Sequence, residues 1–215
     1  MNKYNYILLD WDGCLVNTLE YWINTNGELL RSYNYILTKK ELSDLILSNK
    51  YKNKEVLKII TSKGYFNKAL NIFLEYNKNT KFDENVKKTL KNLKDKNCKI
   101  AIVSNSPIKT AIDPVLKKES IESLFDVKIG RDDINYIKPN PEMINKAIKI
   151  LHAKKEEVII IGDTYSDIEA GKNAKITTVA YYPNRNEKYH SSKEVKSWKA
   201  DFVIKKFKDI LEIIS

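Results

Sequence analysis

The stretch that decides the fold is YILLDWDGCL, residues 6–15. Its apolar run Tyr6–Leu9 predicts a buried strand near the centre of a sheet. The run ends at two acids, Asp10 and Asp12, with Gly13 directly behind them. Two carboxylates at the end of a buried strand are costly to desolvate unless a positive group lies between them, and a divalent cation such as Mg²⁺ is the obvious candidate. An ordinary Asp-Gly turn is the alternative that this stretch alone leaves open.

The composition is that of a globular protein with one domain, or with a core that carries an insertion. The chain has 215 residues, of which 42% are hydrophobic, and no run approaches the roughly 18 apolar residues of a membrane span. The apolar segment near the N-terminus is too short for a signal peptide, so we expect a cytoplasmic protein with no membrane partner. The two cysteines, Cys14 and Cys98, predict reduced thiols rather than a disulfide framework or a zinc site.

The formal net charge of +10 raises the question of a nucleic-acid partner. The lysines, however, are scattered among glutamates and aspartates rather than grouped with aromatic residues. We therefore predict a solvated charged surface and no nucleic-acid partner, with a general preference for anionic substrates.

Between residues 17 and 81, apolar residues recur at helical spacing. Thr38 followed by Glu41 predicts a capping box at the start of the second helix. Gly64 predicts a C-terminal cap for the third helix. We therefore predict two domains: an α-helical cap at residues 17–81, and a core formed by residues 1–16 and 82–215.

The rest of the chain alternates apolar strands, such as Lys99–Val103 and Val158–Ile161, with helical segments. This alternation predicts an α/β fold with a doubly wound parallel sheet, Rossmann-like, whose chemistry lies at the carboxyl ends of the strands. A loop is expected over Tyr182–Trp198. The histidines His152 and His190 are expected to be exposed or capping residues rather than ligands.

Four polar groups stand where such a sheet places its ligands, at strand ends or before a helix. They are Asp10 with Asp12, Ser104 with Asn105, Lys138, and Asp163 with Asp167. Together they favour one chemistry: carboxylates that hold Mg²⁺, a hydroxyl and a lysine that hold an anion beside it, and one carboxylate that attacks phosphorus.

In these elements the chain resembles the haloacid dehalogenase superfamily, in the branch that places a helical cap after the first strand. That branch includes phosphoglycolate phosphatases and β-phosphoglucomutases. The resemblance covers nearly the whole chain and rests on four elements in the family's order. They are Asp10–Leu15, the strand-end Ser104, Lys138–Pro141 and Gly162–Asp167.

The resemblance implies unequal roles for the two acids of the first element. Asp10 would be the nucleophile, which takes the phosphoryl group as an aspartyl-phosphate and also touches Mg²⁺. Asp12 would be the general acid and then the general base, with its main-chain carbonyl as a metal ligand. Gly13 would let the backbone turn closely around the phosphate.

The resemblance also implies roles for the later elements. Ser104 and the amide of Asn105 would hold phosphate oxygens, and Lys138 would neutralise the pentavalent transition state. Asp163 would be a direct Mg²⁺ ligand. Asp167 would orient Lys138 or bind the metal through water.

These roles predict a Mg²⁺-dependent phosphatase, a phosphoric monoester hydrolase that acts on a small phosphorylated metabolite. A phosphomutase acting on a sugar phosphate shares every core residue named, so it stays open as an alternative. A non-catalytic phosphate-sensing or interaction protein on the same scaffold is a further alternative. The retention of Asp12 favours an enzyme, because a protein that only binds phosphate has no use for a general acid.

Overall fold

A computed structural model describes residues 2–48, 50–62 and 64–215. The chain divides into two compact units, one formed by Met1–Asn17 with Lys81–Ser215 and the other by Thr18–Thr80. The first unit contains the sheet, and the second consists of helices. Among the described residues, no helix is long and apolar enough to cross a membrane.

The sheet of the first unit has six parallel strands in the order β3-β2-β1-β4-β5-β6. The strands are β1 Tyr6–Leu9, β2 Lys99–Val103, β3 Val127–Ile129, β4 Val158–Gly162, β5 Thr177–Tyr181 and β6 Phe202–Ile204. The last residue of β1, Leu9, pairs with Ile102 on one side and Ile161 on the other. The carboxyl ends of β1, β2 and β4 therefore meet at one edge. The predicted α/β fold with a doubly wound parallel sheet is confirmed.

Continuous apolar runs produce the central strands, because these strands are covered on both faces. Ile7, Leu8 and Leu9 are fully buried. The helices of this unit are α5 Glu84–Asp95, α6 Asp113–Lys118, α7 Glu142–Ile150, α8 Tyr165–Ala174, α9 Ser192–Ser197 and α10 Ile210–Ile213. Both cysteines are free, as predicted, and both are buried.

The helical unit contains α1 Leu19–Arg31, α2 Lys39–Ile46, α3 Lys54–Ile60 and α4 Tyr65–Asn77. The predicted capping box is present at α2, where the Thr38 hydroxyl accepts from the Glu41 amide and the Glu41 carboxylate accepts from the Thr38 amide. The cap predicted at Gly64 is wrong. Helix α3 ends at Ile60, and Gly64, with φ of +91°, is the residue that precedes α4. A glycine with positive φ suits a turn before a helix as well as one after it, which explains the error.

The segment Tyr182–Trp198 is not a plain loop, because it contains α9. Ser191 caps this helix by accepting a hydrogen bond from the Glu194 amide at 3.2 Å, a Ser-x-x-Glu signal that is visible in the sequence. His152 is exposed, as expected. His190 is buried instead, with Nδ1 at 3.3 Å from a carboxylate oxygen of Glu194.

Candidate active site

Lys138 lies at the centre of the polar residues that gather at the carboxyl ends of the strands. Its ammonium donates to Asp10 Oδ1 and to Asp167 Oδ1, each at 2.5 Å, and to the carbonyl of Val103 at 3.0 Å. Burial lowers the pKa of Lys138, but Asp10 and Asp167 outweigh it and raise the pKa above its ordinary value. The side chain is therefore a buried, charged ammonium that joins the ends of β1, β2 and the start of α8.

Three buried carboxylates form a cluster here: Asp10, Asp163 and Asp167 each offer an oxygen within 4.8 Å of the others. Burial and the charge of Asp167 raise the pKa of Asp10 to about 8, against the opposing effect of Lys138. Burial and the charges of Asp10 and Asp167 also raise the pKa of Asp163. Three carboxylates thus lie beside a single ammonium, so Lys138 alone does not compensate the negative charge of the cluster.

A hard divalent cation fits this cluster. Asp163 Oδ1 is buried and has no hydrogen-bond partner among the described residues, and a buried polar atom without a partner calls for an explanation. Carboxylate oxygens are the ligands that Mg²⁺ prefers. A cation would satisfy this atom and offset the charge that raises the pKa of Asp10.

Asp12 is placed differently from these three acids. Its side chain is half-buried, and its Oδ2 accepts from the hydroxyl of Ser106 at 2.5 Å. The Ser106 amide donates in turn to Ser104 Oγ at 3.0 Å. The structure therefore brings Ser104 and Asp12 together through Ser106, and it leaves the carboxylate of Asp12 outside the three-acid cluster.

Hydrogen bonds to backbone groups hold the loops that carry these side chains. Gly13 has a φ of +81°, which glycine adopts readily, and its amide donates to Val16 O at 2.8 Å. The side chain of Asn105 accepts from the Lys138 amide at 2.9 Å and donates to the Lys138 carbonyl at 3.4 Å. Asn105 therefore positions the loop of Lys138 with its side chain, whereas the phosphate contact of its amide stays a prediction.

Asp167 uses both carboxylate oxygens. Oδ1 accepts from Lys138, and Oδ2 accepts from the amide and the hydroxyl of Thr164 at 3.0 and 2.6 Å. Gly162 lies directly against it, because a Cβ on Gly162 would come within 2.3 Å of the Asp167 side chain. Only glycine at residue 162 leaves room for this carboxylate, which is why the two residues occur together in the Gly162–Asp167 element.

Sequence reasoning missed three residues of this site: Ser106, Arg185 and Asn186. Ser106 stands two residues after Ser104 and could have been found from that spacing. Asn186 donates through Nδ2 to Asp163 Oδ2 at 2.8 Å, and Arg185 donates through Nη2 to the carbonyl of Gly13 at 3.1 Å. Neither belongs to a recognisable motif, because their position depends on β5 lying beside β4.

Comparisons with known proteins show the family to which this chain belongs. The family model for haloacid dehalogenase-like hydrolases matches residues 7–181. The pyrophosphatase PpaX of Bacillus thuringiensis is 32% identical over 225 residues, which cover 99% of this chain and 97% of that protein.

Solved structures share the fold. A haloacid dehalogenase-like hydrolase from Bacteroides fragilis, so described, aligns with a TM-score of 0.81 and 23% identity over 97% of this chain and 100% of that one. A predicted phosphoglycolate phosphatase from Haemophilus somnus aligns with a TM-score of 0.77 and 22% identity over the whole of both chains. The chain belongs to the haloacid dehalogenase-like hydrolase family, and the predicted enzyme class, a phosphatase of that family, is confirmed.

Proposed function

We propose that this protein is a Mg²⁺-dependent phosphatase that hydrolyses a small phosphorylated substrate through an aspartyl-phosphate on Asp10. The observation that carries the proposal is the unequal placement of the two acids after β1. Asp10 is buried and ion-paired to Lys138, whereas Asp12 lies apart and is hydrogen-bonded to Ser106. One acid is thus held as a nucleophile and the other is available for proton transfer.

The chemistry divides between these acids in two steps. A carboxylate oxygen of Asp10 attacks phosphorus, the bond from phosphorus to the leaving oxygen breaks, and Asp12 gives that oxygen its proton. Asp12 then takes a proton from water, the water oxygen attacks phosphorus, and the bond to Asp10 breaks to release phosphate. Lys138 neutralises charge on the transferring group, and Ser104 and the amide of Asn105 hold its oxygens.

Asp10, Asp163 and Asp167 would hold the cation, Asp167 directly or through water, and the main-chain carbonyl of Asp12 is a further proposed ligand. Bound Mg²⁺ supplies positive charge that offsets these carboxylates and the phosphate oxygens. In keeping with the metal, Lys138 forms ion pairs with Asp10 and Asp167 but makes no hydrogen bond to the unpartnered Oδ1 of Asp163.

Inorganic pyrophosphate is the first substrate to assay, because the curated relative at 32% identity is a pyrophosphatase. The helical unit Thr18–Thr80 is proposed to act as a cap that excludes water and supplies specificity contacts. Small sugar phosphates and phosphoglycolate are the next substrates of the panel.

The test is phosphate release from pyrophosphate and from an aryl phosphate, with Mg²⁺ or with EDTA. We expect Asp10→Asn to lower turnover at least about 10³-fold, since the amide cannot attack phosphorus. Asp95→Asn, an exposed acid at the end of α5, serves as the matched control and should leave turnover unchanged. Wild-type turnover in Asp10→Asn, or full activity in EDTA, would contradict the proposal. Isomerisation of a sugar 1-phosphate without phosphate release would favour the phosphomutase alternative instead.

A further inference from the structure

A short turn after β5, Asn184–Asn186, carries a side chain into the three-acid cluster. Asn186 is fully buried, and its Nδ2 donates to Asp163 Oδ2 at 2.8 Å. The other carboxylate oxygen, Asp163 Oδ1, has no partner among the described residues. The Asn186 contact therefore uses one oxygen of the acid and leaves the second for another ligand.

The backbone around Asn186 is held on both sides. Its amide donates to the carbonyl of Pro183 at 2.8 Å, and its carbonyl accepts from the amides of Tyr189 and His190 at 3.0 and 3.1 Å. These bonds restrict the direction in which the Asn186 side chain leaves the backbone. The contact with Asp163 is therefore part of a fixed turn rather than a contact of a free side chain.

The neighbouring residue ties the same turn to the loop that follows the two acids of β1. Arg185 Nη2 donates to the carbonyl of Gly13 at 3.1 Å and lies 3.5 Å from that of Cys14. Its guanidinium also packs over the ring of Tyr181, with 5.5 Å between Cζ and the ring centroid. The turn thus joins the loop after Asp12 to Asp163.

We propose that Asn186 is a positioning residue that fixes the carboxylate of Asp163 with Oδ1 directed to the cation. An amide suits this task, because it donates a hydrogen bond without adding charge to a cluster that already contains three acids. An acid at this position would add a fourth negative charge, and a lysine would compete with the cation for Asp163. The inference rests on the proposed function, since it assumes that the cluster binds Mg²⁺.

The test compares Asn186→Ala with Asn184→Ala, an asparagine on the same turn whose side chain is exposed. Mg²⁺ binding to the metal-free protein is measured by titration calorimetry, without substrate. We expect the Kd for Mg²⁺ to rise about 10- to 100-fold in Asn186→Ala, the usual effect of losing an outer partner of a metal ligand. Asn184→Ala should keep the wild-type Kd. In phosphate-release assays, the Mg²⁺ concentration for half-maximal rate should rise by the same factor.

A second variant separates positioning from folding. Asn186→Leu keeps the number and branching of the side-chain heavy atoms of asparagine but lacks the donor, so it should show the same loss of Mg²⁺ affinity as Asn186→Ala. Near-ultraviolet circular dichroism of the metal-free proteins reports whether each variant is folded. If neither variant folds, Asn186 is a structural residue and the inference is wrong.

The outcomes also separate this inference from the proposed function. If the wild type binds Mg²⁺ and both Asn186 variants bind it with the same Kd, the inference fails and the proposed function stands. If the wild type binds no Mg²⁺, the proposed function fails at its metal, and the inference fails with it. A rise in Kd confined to the Asn186 variants supports both.

Discussion

Lys138→Met removes the ammonium that Asp10 and Asp167 share, while it keeps most of the aliphatic side chain. Lys138 is 3% exposed, and both ion pairs measure 2.5 Å. Removing one partner of a buried ion pair leaves uncompensated charge among buried groups, which costs about 3–5 kcal/mol. For a chain of this size, each kcal/mol lowers the melting temperature by about 2–4 °C. We therefore expect the melting temperature to fall by roughly 6 to 20 °C.

The matched control is Lys128→Met. Lys128 forms an ion pair with Asp113 at the same distance, 2.5 Å, but the two side chains are 26% and 22% exposed. Ion pairs that water can reach contribute about 0–1 kcal/mol, so this variant should lose no more than a few degrees. Both proteins are unfolded thermally in EDTA at neutral pH, with the wild type alongside.

The comparison decides whether burial or distance governs the effect. Equal losses in Lys138→Met and Lys128→Met would refute the reasoning, because the ion pairs of Lys138 have the same length as the Lys128–Asp113 pair but are more deeply buried. Turnover provides a second readout. Lys138→Met should lose activity even at temperatures where it is folded, whereas Lys128→Met should keep it.

Four further predictions follow from the same contacts. Mg²⁺ at 100 times its Kd should stabilise the wild type by about 2.7 kcal/mol, which raises the melting temperature by about 5–10 °C. An unchanged melting temperature would argue against a metal site. Ser106→Ala removes the hydrogen bond to Asp12 and should lower kcat about 10-fold with an unchanged melting temperature; an unchanged kcat would show that the contact is dispensable. Gly162→Ala should displace Asp167 and lower kcat about 10²-fold, and normal turnover would mean that the side chain has room to shift. Hydrogen bonds from two lysines and an amide outweigh burial and lower the pKa of Asp126, so Asp126→Asn should lower the free energy of unfolding by about 2 kcal/mol at pH 7. In urea unfolding, the difference between the variant and the wild type should vanish as the pH falls below about 4, since the unfolded state then binds the proton first. A difference that stays constant with pH would contradict this prediction.

The central strands and the motif residues could be predicted because each depends on a local pattern. A run such as Val158–Ile161 is apolar at every position, and a strand covered on both faces is the simplest way to bury it. Polar residues directly after such runs then share one edge of a parallel sheet. Asp10 follows such a run directly, while Lys138 lies shortly before α7 and Asp167 lies in the first turn of α8, on the connections that leave the same edge.

The remaining site residues could not be predicted because their contacts depend on strand order. Asn186 reaches Asp163 only because β5 pairs with β4, where Ile161 lies opposite Val179. No periodicity or spacing in the segment Tyr182–Trp198 specifies that neighbour. The helix α9 in this segment does have a local signal, the capping pair Ser191 and Glu194, which the prediction of a loop left out.

The fold and the site of this protein depend on different interactions, and this difference explains how the chain tolerates so many buried acids. Ile7, Leu8 and Leu9 are fully buried, and each buried side chain of this kind contributes about 1.5–3 kcal/mol. The strand is therefore held by its apolar side chains, and Asp10 is carried at its end at an electrostatic cost that its raised pKa records. Lys138 offsets part of that cost and Mg²⁺ is proposed to offset the rest, so changes at Lys138 should affect stability and activity together. Changes at Ser106, which contacts the half-buried Asp12, should affect activity alone.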